Sequence, residues 1–180
     1  MNHLISAIVV TAIVFTSSLT FSRDTDSLTI QSYIDRQEVQ LKASEYLNAR
    51  SFMTGDLDQD GIDDLAILYT LEGIGGGGNN YSSFLAVFLR TEEGLKFSSD
   101  ILVGGKSSRS LSFKSIENGV ITFDTRFSTI REDGTWDPSC CPSGEGEAFY
   151  VLFYGELREL NVAEAAPIDW KKVRKVMKAN

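Results

Sequence analysis

The stretch GDLDQDGIDDLAI, Gly55 to Ile67, holds five aspartates within nine residues, Asp56 to Asp64. Carboxylates this crowded repel one another unless a cation or a turn separates them. Counting from Asp56, acids stand at loop positions 1, 3, 5 and 9 (Asp56, Asp58, Asp60 and Asp64), with Gly61 at position 6 and Ile62 at position 7. A hard cation such as calcium takes about six to eight oxygens, which a short loop supplies from alternate side chains and a backbone carbonyl while glycine permits the turn. The spacing therefore predicts one Ca2+ held by Asp56, Asp58, Asp60, the Ile62 carbonyl and Asp64, with Asp63 either facing outward or supporting the ligands from behind. The competing reading is a solvated acidic turn, because Asp and Gly also build turns without metal. An EF-hand would need Glu at position 12, where Ile67 stands, and an exiting helix in place of the strand-like run that begins at Leu65.

Other reactive groups are few. The single histidine, His3, lies in the apolar leader, so a processed chain has no imidazole for triad catalysis or for His-based metal sites. The two cysteines, Cys140 and Cys141, are adjacent in DPSCCP. Neighbours cannot close a long loop, so a disulfide between them is a strained, readily reduced ring. In an oxidising compartment that vicinal bond competes with two buried thiols, a soft-metal site or an intermolecular bridge. GGGGNN, Gly75 to Asn80, lacks the Gly-Lys-Ser/Thr of a phosphate loop and reads as a hairpin connection. Glu145 and Glu147 are acids without a sequence signal that would set them across a cleft as a hydrolase pair.

These groups must be carried by an ordered chain. Leu28 to Asn48 has no Gly or Pro and repeats apolar residues at mostly helical spacing (Ile30, Tyr33, Ile34, Val39, Leu41, Tyr46 and Leu47), which predicts a helix. From Ser51 the texture turns to short β-type runs: Ser51 to Thr54, Leu65 to Leu71, Tyr81 to Arg90, Lys96 to Val103, Ser107 to Ile116, Val120 to Phe127 and Glu147 to Leu157. Asn118-Gly119 marks a two-residue hairpin turn. PIDWKKVRKVMKAN, residues 167 to 180, predicts a short amphipathic helix. The expected fold class is α+β, a mostly antiparallel sheet with a helix at either end, forming one domain over residues 23 to 180.

The first 21 residues lack Asp, Glu, Lys and Arg, and Leu4 to Phe15 form an apolar core. Residues 1 to 22 therefore read as a signal peptide, with a retained membrane anchor as the alternative. Either way the chain is exported, to the periplasm or the medium. The net charge of −8 argues against nucleic acid as a partner. Five bases after Pro167 (Lys171, Lys172, Arg174, Lys175 and Lys178) face only Asp169 there, a tail that is either a solvated helix face or a weak membrane-surface contact.

The aspartate loop resembles the calcium loops of FG-GAP and VCBS-type blades, a resemblance that implies calcium between two strands on Asp56, Asp58, Asp60 and Asp64. It occurs once, against the repetition of a propeller. The order of this loop, the Gly-rich hairpin GGGGNNYSSFLAVFL, LSFKSIENGVITFDTRF and DPSCCP also resembles small exported bacterial proteins of unassigned function. The functional expectation is an exported, calcium-binding, non-catalytic module, the alternative being a redox-sensitive or enzymatic protein centred on Cys140 and Cys141.

Overall fold

A computed structural model describes residues 19–76, 79–106, 108–138 and 141–160. The chain runs α1 (Leu19–Leu41), β1 (Ser44–Glu45), a 3-10 turn at Leu47–Ala49, β2 (Ser51–Gly55), β3 (Asp64–Glu72), a second 3-10 turn at Ile74–Gly76, β4 (Tyr81–Thr91) and β5 (Gly94–Gly105). It continues as β6 (Arg109–Glu117), β7 (Val120–Phe127), β8 (Gly144–Phe153) and β9 (Glu156–Leu160). Every strand pairing is antiparallel. The first five strands form one sheet, β3 carrying both β1 and β2 along one side and β4 on the other, with β5 outermost; β6 to β9 form a second sheet in sequence order.

The layers explain the sequence texture. Leu65, Ile67, Tyr69 and Leu71 of β3 face α1, where they meet Ile30, Tyr33 and Ile34 at the i, i+3, i+4 spacing of one helical face. The alternate residues Ala66 and Leu68 face the second sheet and meet Leu85, Val87, Ile121, Phe123, Ala148 and Tyr150. Covered on both faces, β3 loses the polar alternation of a half-exposed strand and reads as a continuous apolar run. The outer face of the second sheet is charged instead: Lys114 pairs with Asp124 at 3.2 Å and with Glu147, and Arg126 with Glu145 at 3.2 Å.

The edges of the sheets are joined. Gly55, the last residue of β2, lies so close to β6 that a Cβ there would sit 2.5 Å from Ile116 Cγ2, and at the other edge the Leu157 N–H of β9 donates to Ser99 Oγ of β5 at 3.0 Å.

The α+β expectation is corrected by this architecture. The described chain is predominantly two antiparallel sheets with a single long helix near the N-terminus. Each sheet buries its inner face against the other, so one helix suffices to cover the remaining apolar face. The expected helix over residues 167 to 180 lies outside the described residues. The first helix ends at Leu41, seven residues before the predicted Asn48, because Lys42 takes a left-handed φ of 51°; Ser44–Glu45 then pairs with β3. Val39, expected on the buried face, is 80 % exposed.

Glu147 to Leu157, expected as one strand, is two, divided by a hairpin turn at Tyr154 and Gly155 with φ of 51° and 79°. The turn at Asn118-Gly119, φ 55° and 79°, forms as its residues predict.

Candidate metal centre

The aspartate loop joins β2 to β3. Its ends are paired, Gly55 opposite Asp64, so residues 56 to 63 form a closed hairpin connection. Within it, side-chain oxygens accept backbone N–H groups. Asp56 Oδ2 takes Gly61 N–H at 3.1 Å, Asp58 Oδ1 takes Asp60 N–H at 3.2 Å, and Asp60 Oδ1 takes Ile62 N–H at 2.8 Å. Such bonds let short acids turn a chain that has no ladder partner. Gln59 and Gly61 sit at positive φ, 67° and 92°.

Asp64, the first residue of β3, is 1 % exposed. Its Oδ2 accepts the Leu57 N–H at 2.9 Å and its Oδ1 the Arg90 N–H at 2.8 Å. Those two bonds tie the loop to the end of β4 and leave a buried carboxylate with one further lone pair on each oxygen. One carboxylate oxygen from each of Asp56, Asp58 and Asp64 lies within 4.8 Å of the others. Asp56 Oδ1 is buried and has no hydrogen-bond partner. Partial burial pushes the Asp58 carboxyl above its ordinary pKa, and the charges of Asp64, Asp60 and Asp56 push it further, against the lowering effect of the Asp60 N–H bond. The arrangement is a cluster of acceptors with too few donors, and Asp56, Asp58 and Asp64 can hold a metal ion.

One expected carboxylate is not brought into this trio. Asp60 turns onto the Ile62 N–H and is not among the converging oxygens. Ile62 is half exposed, its N–H taken by Asp60. Asp63 is exposed, facing outward, one of its two expected placements.

The surroundings include residues that spacing could not reveal. Leu57, between two aspartates in sequence, is 2 % exposed and inserts into the core between the sheets. The β6–β7 hairpin packs beneath the loop: a Cβ on Gly119 would lie 3.1 Å from Leu57 O and 3.0 Å from Gln59 Nε2. The carboxylate cluster therefore stands at the seam where the β2–β3 connection meets the second sheet.

The cysteine motif gives less. Cys140 lies outside the described residues; Cys141 is exposed, and its N–H donates to Pro138 O at 2.9 Å. The loop leading to it is organised by Asp137, 8 % exposed, whose Oδ2 accepts Thr129 N–H and Ser143 N–H, each at 2.9 Å. These bonds, with hydroxyl donation from Ser143 and the Arg131 guanidinium, hold the Asp137 carboxyl well below the usual range. Glu145 and Glu147 engage Arg126 and Lys114 on the outer sheet face. No helix among the described residues is long and apolar enough to cross a membrane. Comparison with known proteins gives no matching family model, no matching curated protein and no matching solved structure.

Proposed function

We propose that this chain is an exported, non-catalytic β-sandwich module that binds one calcium ion through Asp56, Asp58 and Asp64, the ion fixing the seam between its two sheets. The observation that carries the reading is Asp56 Oδ1, a buried carboxylate oxygen without a hydrogen-bond donor, set beside two further carboxylates. An unpaired buried charge is costly, and a cation is the partner that offsets it for three acids at once. Calcium is the favoured ion because the donors are all hard oxygens on a loop whose backbone carbonyls and solvent can complete a large, irregular shell, whereas magnesium demands a tighter octahedron. The resemblance to FG-GAP and VCBS-type loops supports the same ion, and the apolar, uncharged leader supports export to a calcium-containing compartment.

Thermal unfolding in calcium and in chelator tests this. A ligand at about a hundred times its dissociation constant stabilises the folded state by about 2.7 kcal/mol, a rise of several degrees for a domain of this size. The expected result is that rise in millimolar calcium, reversed by chelator and abolished in Asp56→Ala. An unchanged melting temperature sinks the proposal.

A further inference from the structure

The opposite region of the second sheet carries a site that the metal reading does not use. Between the ends of β5 and β7 and the starts of β6 and β8 lies an open cleft of about 690 Å3, with Leu102, Val103 and Phe127 in its wall. This volume falls in the range of small-molecule sites, about 300 to 1,000 Å3. Leu102 of β5 is 58 % and Phe127 of β7 39 % exposed, large apolar side chains left to solvent. Gly146, opposite Thr125 in the ladder, contributes no side chain to the wall and keeps the cleft wide.

A second hollow of about 200 Å3 adjoins it, sharing Ser108, Arg109 and Phe127. Its polar wall is Lys106, Arg109 and Arg126 with the hydroxyls of Ser108, Ser110 and Ser128, and no acid lines it. Three bases without an acid are unexpected on a chain of net charge −8.

The three bases are not equivalent. Arg109 is committed: it holds Glu159 by two bonds of 2.6 Å, donates to Tyr150 Oη at 2.7 Å and to Val103 O at 2.9 Å, and so fixes the crossover between the sheets. Arg126 makes one 3.2 Å contact with Glu145, both side chains largely exposed, an exchangeable pair worth little in solvent. Lys106 Nζ donates to the neutral Asn79 carbonyl at 2.7 Å and enters no salt bridge among the described residues. Its position is set by a tight turn, with Lys106 N–H on Tyr81 O at 3.2 Å and Ser108 N–H on Gly105 O at 3.1 Å. The two acids on the lip of the larger cleft, Glu145 and Glu147, are paired with Arg126 and Lys114.

We propose that the two hollows form one binding site for a small amphipathic organic anion, its apolar body along Leu102 and Phe127 and its carboxylate or phosphate head on Lys106 and Arg126 with the serine hydroxyls. Apolar wall and donor-only end match the two halves of such a ligand, and charge-assisted contacts at the basic end set its orientation.

Isothermal titration of the full chain with octanoate and with octyl phosphate tests the site, with octanol as the uncharged control and calcium held constant. The expected result is saturable one-to-one binding of an anionic probe and none of octanol, the tighter anion identifying the head group. Lys106→Gln weakens binding roughly five- to tenfold, the scale of one charge-assisted contact, and Leu102→Ser weakens it independently. Both positions are exposed, so the variants are expected to keep the wild-type melting temperature. Absence of saturable binding, or binding of unchanged affinity in both variants, overturns the proposal.

Discussion

Asp64 is the residue on which the aspartate loop turns, because it belongs to three structures at once: first residue of β3, acceptor of the Arg90 and Leu57 N–H groups, and one of the three converging carboxylates. Asp64→Asn keeps the shape but sets an amide donor against one of two backbone donors. Losing a buried bond to a charged acceptor and leaving a donor unmatched costs roughly 1.5–3 kcal/mol; the expected outcome in urea unfolding with chelator is a loss of that size. The calcium-dependent part of the stability disappears as well. Asp60→Ala, by contrast, removes only the bond to Ile62 N–H and is expected to retain a calcium response larger than that of Asp56→Ala. The contrast marks what was legible at this site. The 1, 3 and 9 positions follow from spacing alone, because a hairpin with fixed ends brings those side chains inward. Asp60 is not among the converging oxygens, which spacing could not show, since Asp56, Asp58 and Asp60 all accept backbone N–H groups of the turn. The packing of Leu57 against Gly119 was not legible, because it depends on a contact about sixty residues apart in sequence.

The same distinction, between local signals and those that need a partner, separates the elements. The strands β2 to β7 were readable because β-branched and aromatic runs alternate with Gly, Asn and Asp clusters, and Asn118-Gly119 specifies its turn by residue type. Tyr154-Gly155 makes a turn of the same positive-φ kind with a residue that has no turn preference, so β8 and β9 read as one run. The end of α1 was hidden for another reason. Apolar residues continue past Lys42 at Ala43, Tyr46 and Leu47, but the chain there forms β1 and the following 3-10 turn, and tertiary pairing with β3 overrides helix propensity. What docks α1 on its sheet is apolar contact plus one polar network: Tyr33 Oη donates to Asp100 Oδ2 at 2.7 Å and lies 3.2 Å from Tyr69 Oη, which leaves Tyr69 as the donor to Tyr33. Burial, with these hydroxyl and carboxylate neighbours, holds the Tyr33 phenol protonated far above its ordinary range. Tyr33→Phe strands the fully buried Tyr69 hydroxyl and is expected to cost roughly 1–3 kcal/mol in urea unfolding. Adding Tyr69→Phe removes the stranded donor, so the double variant is expected to be less destabilised than the single one. A double variant that loses the sum of two such penalties would show that the hydroxyls act separately.

Across the two sheets, stability depends on seams more than on any one layer. The core between the sheets is closed on one side by Gly55 against Ile116, with Leu57 and the β6–β7 hairpin nearby, and on the other by Ser99 and Leu157. The proposed ion at Asp56, Asp58 and Asp64 would sit at the first seam, though all three carboxylates come from the first sheet and its β2–β3 connection. Its removal has a consequence that distinguishes a structural ion from one held by an isolated surface loop. On the proposed reading, chelation leaves the three carboxylates to repel, and the expected result is more frequent opening of the loop and of the Leu57 N–H bond to Asp64 that holds Leu57 between the sheets. The hairpin at Asn118-Gly119 contributes no ligand yet rests against Leu57 and Gln59, so it loses its support. Hydrogen exchange read by mass spectrometry, with calcium and with chelator, is therefore expected to show faster exchange on chelation in two separate segments, residues 55 to 64 and residues 116 to 121. The opposite end of β3, residues 70 to 74, away from Asp64 along the strand, is expected to remain unchanged. Local opening of this kind samples free energies well below global unfolding, so it registers even where the melting temperature moves little. Faster exchange confined to residues 55 to 64 would mean that the ion orders its own loop and nothing else, and that the seam is held by apolar packing alone.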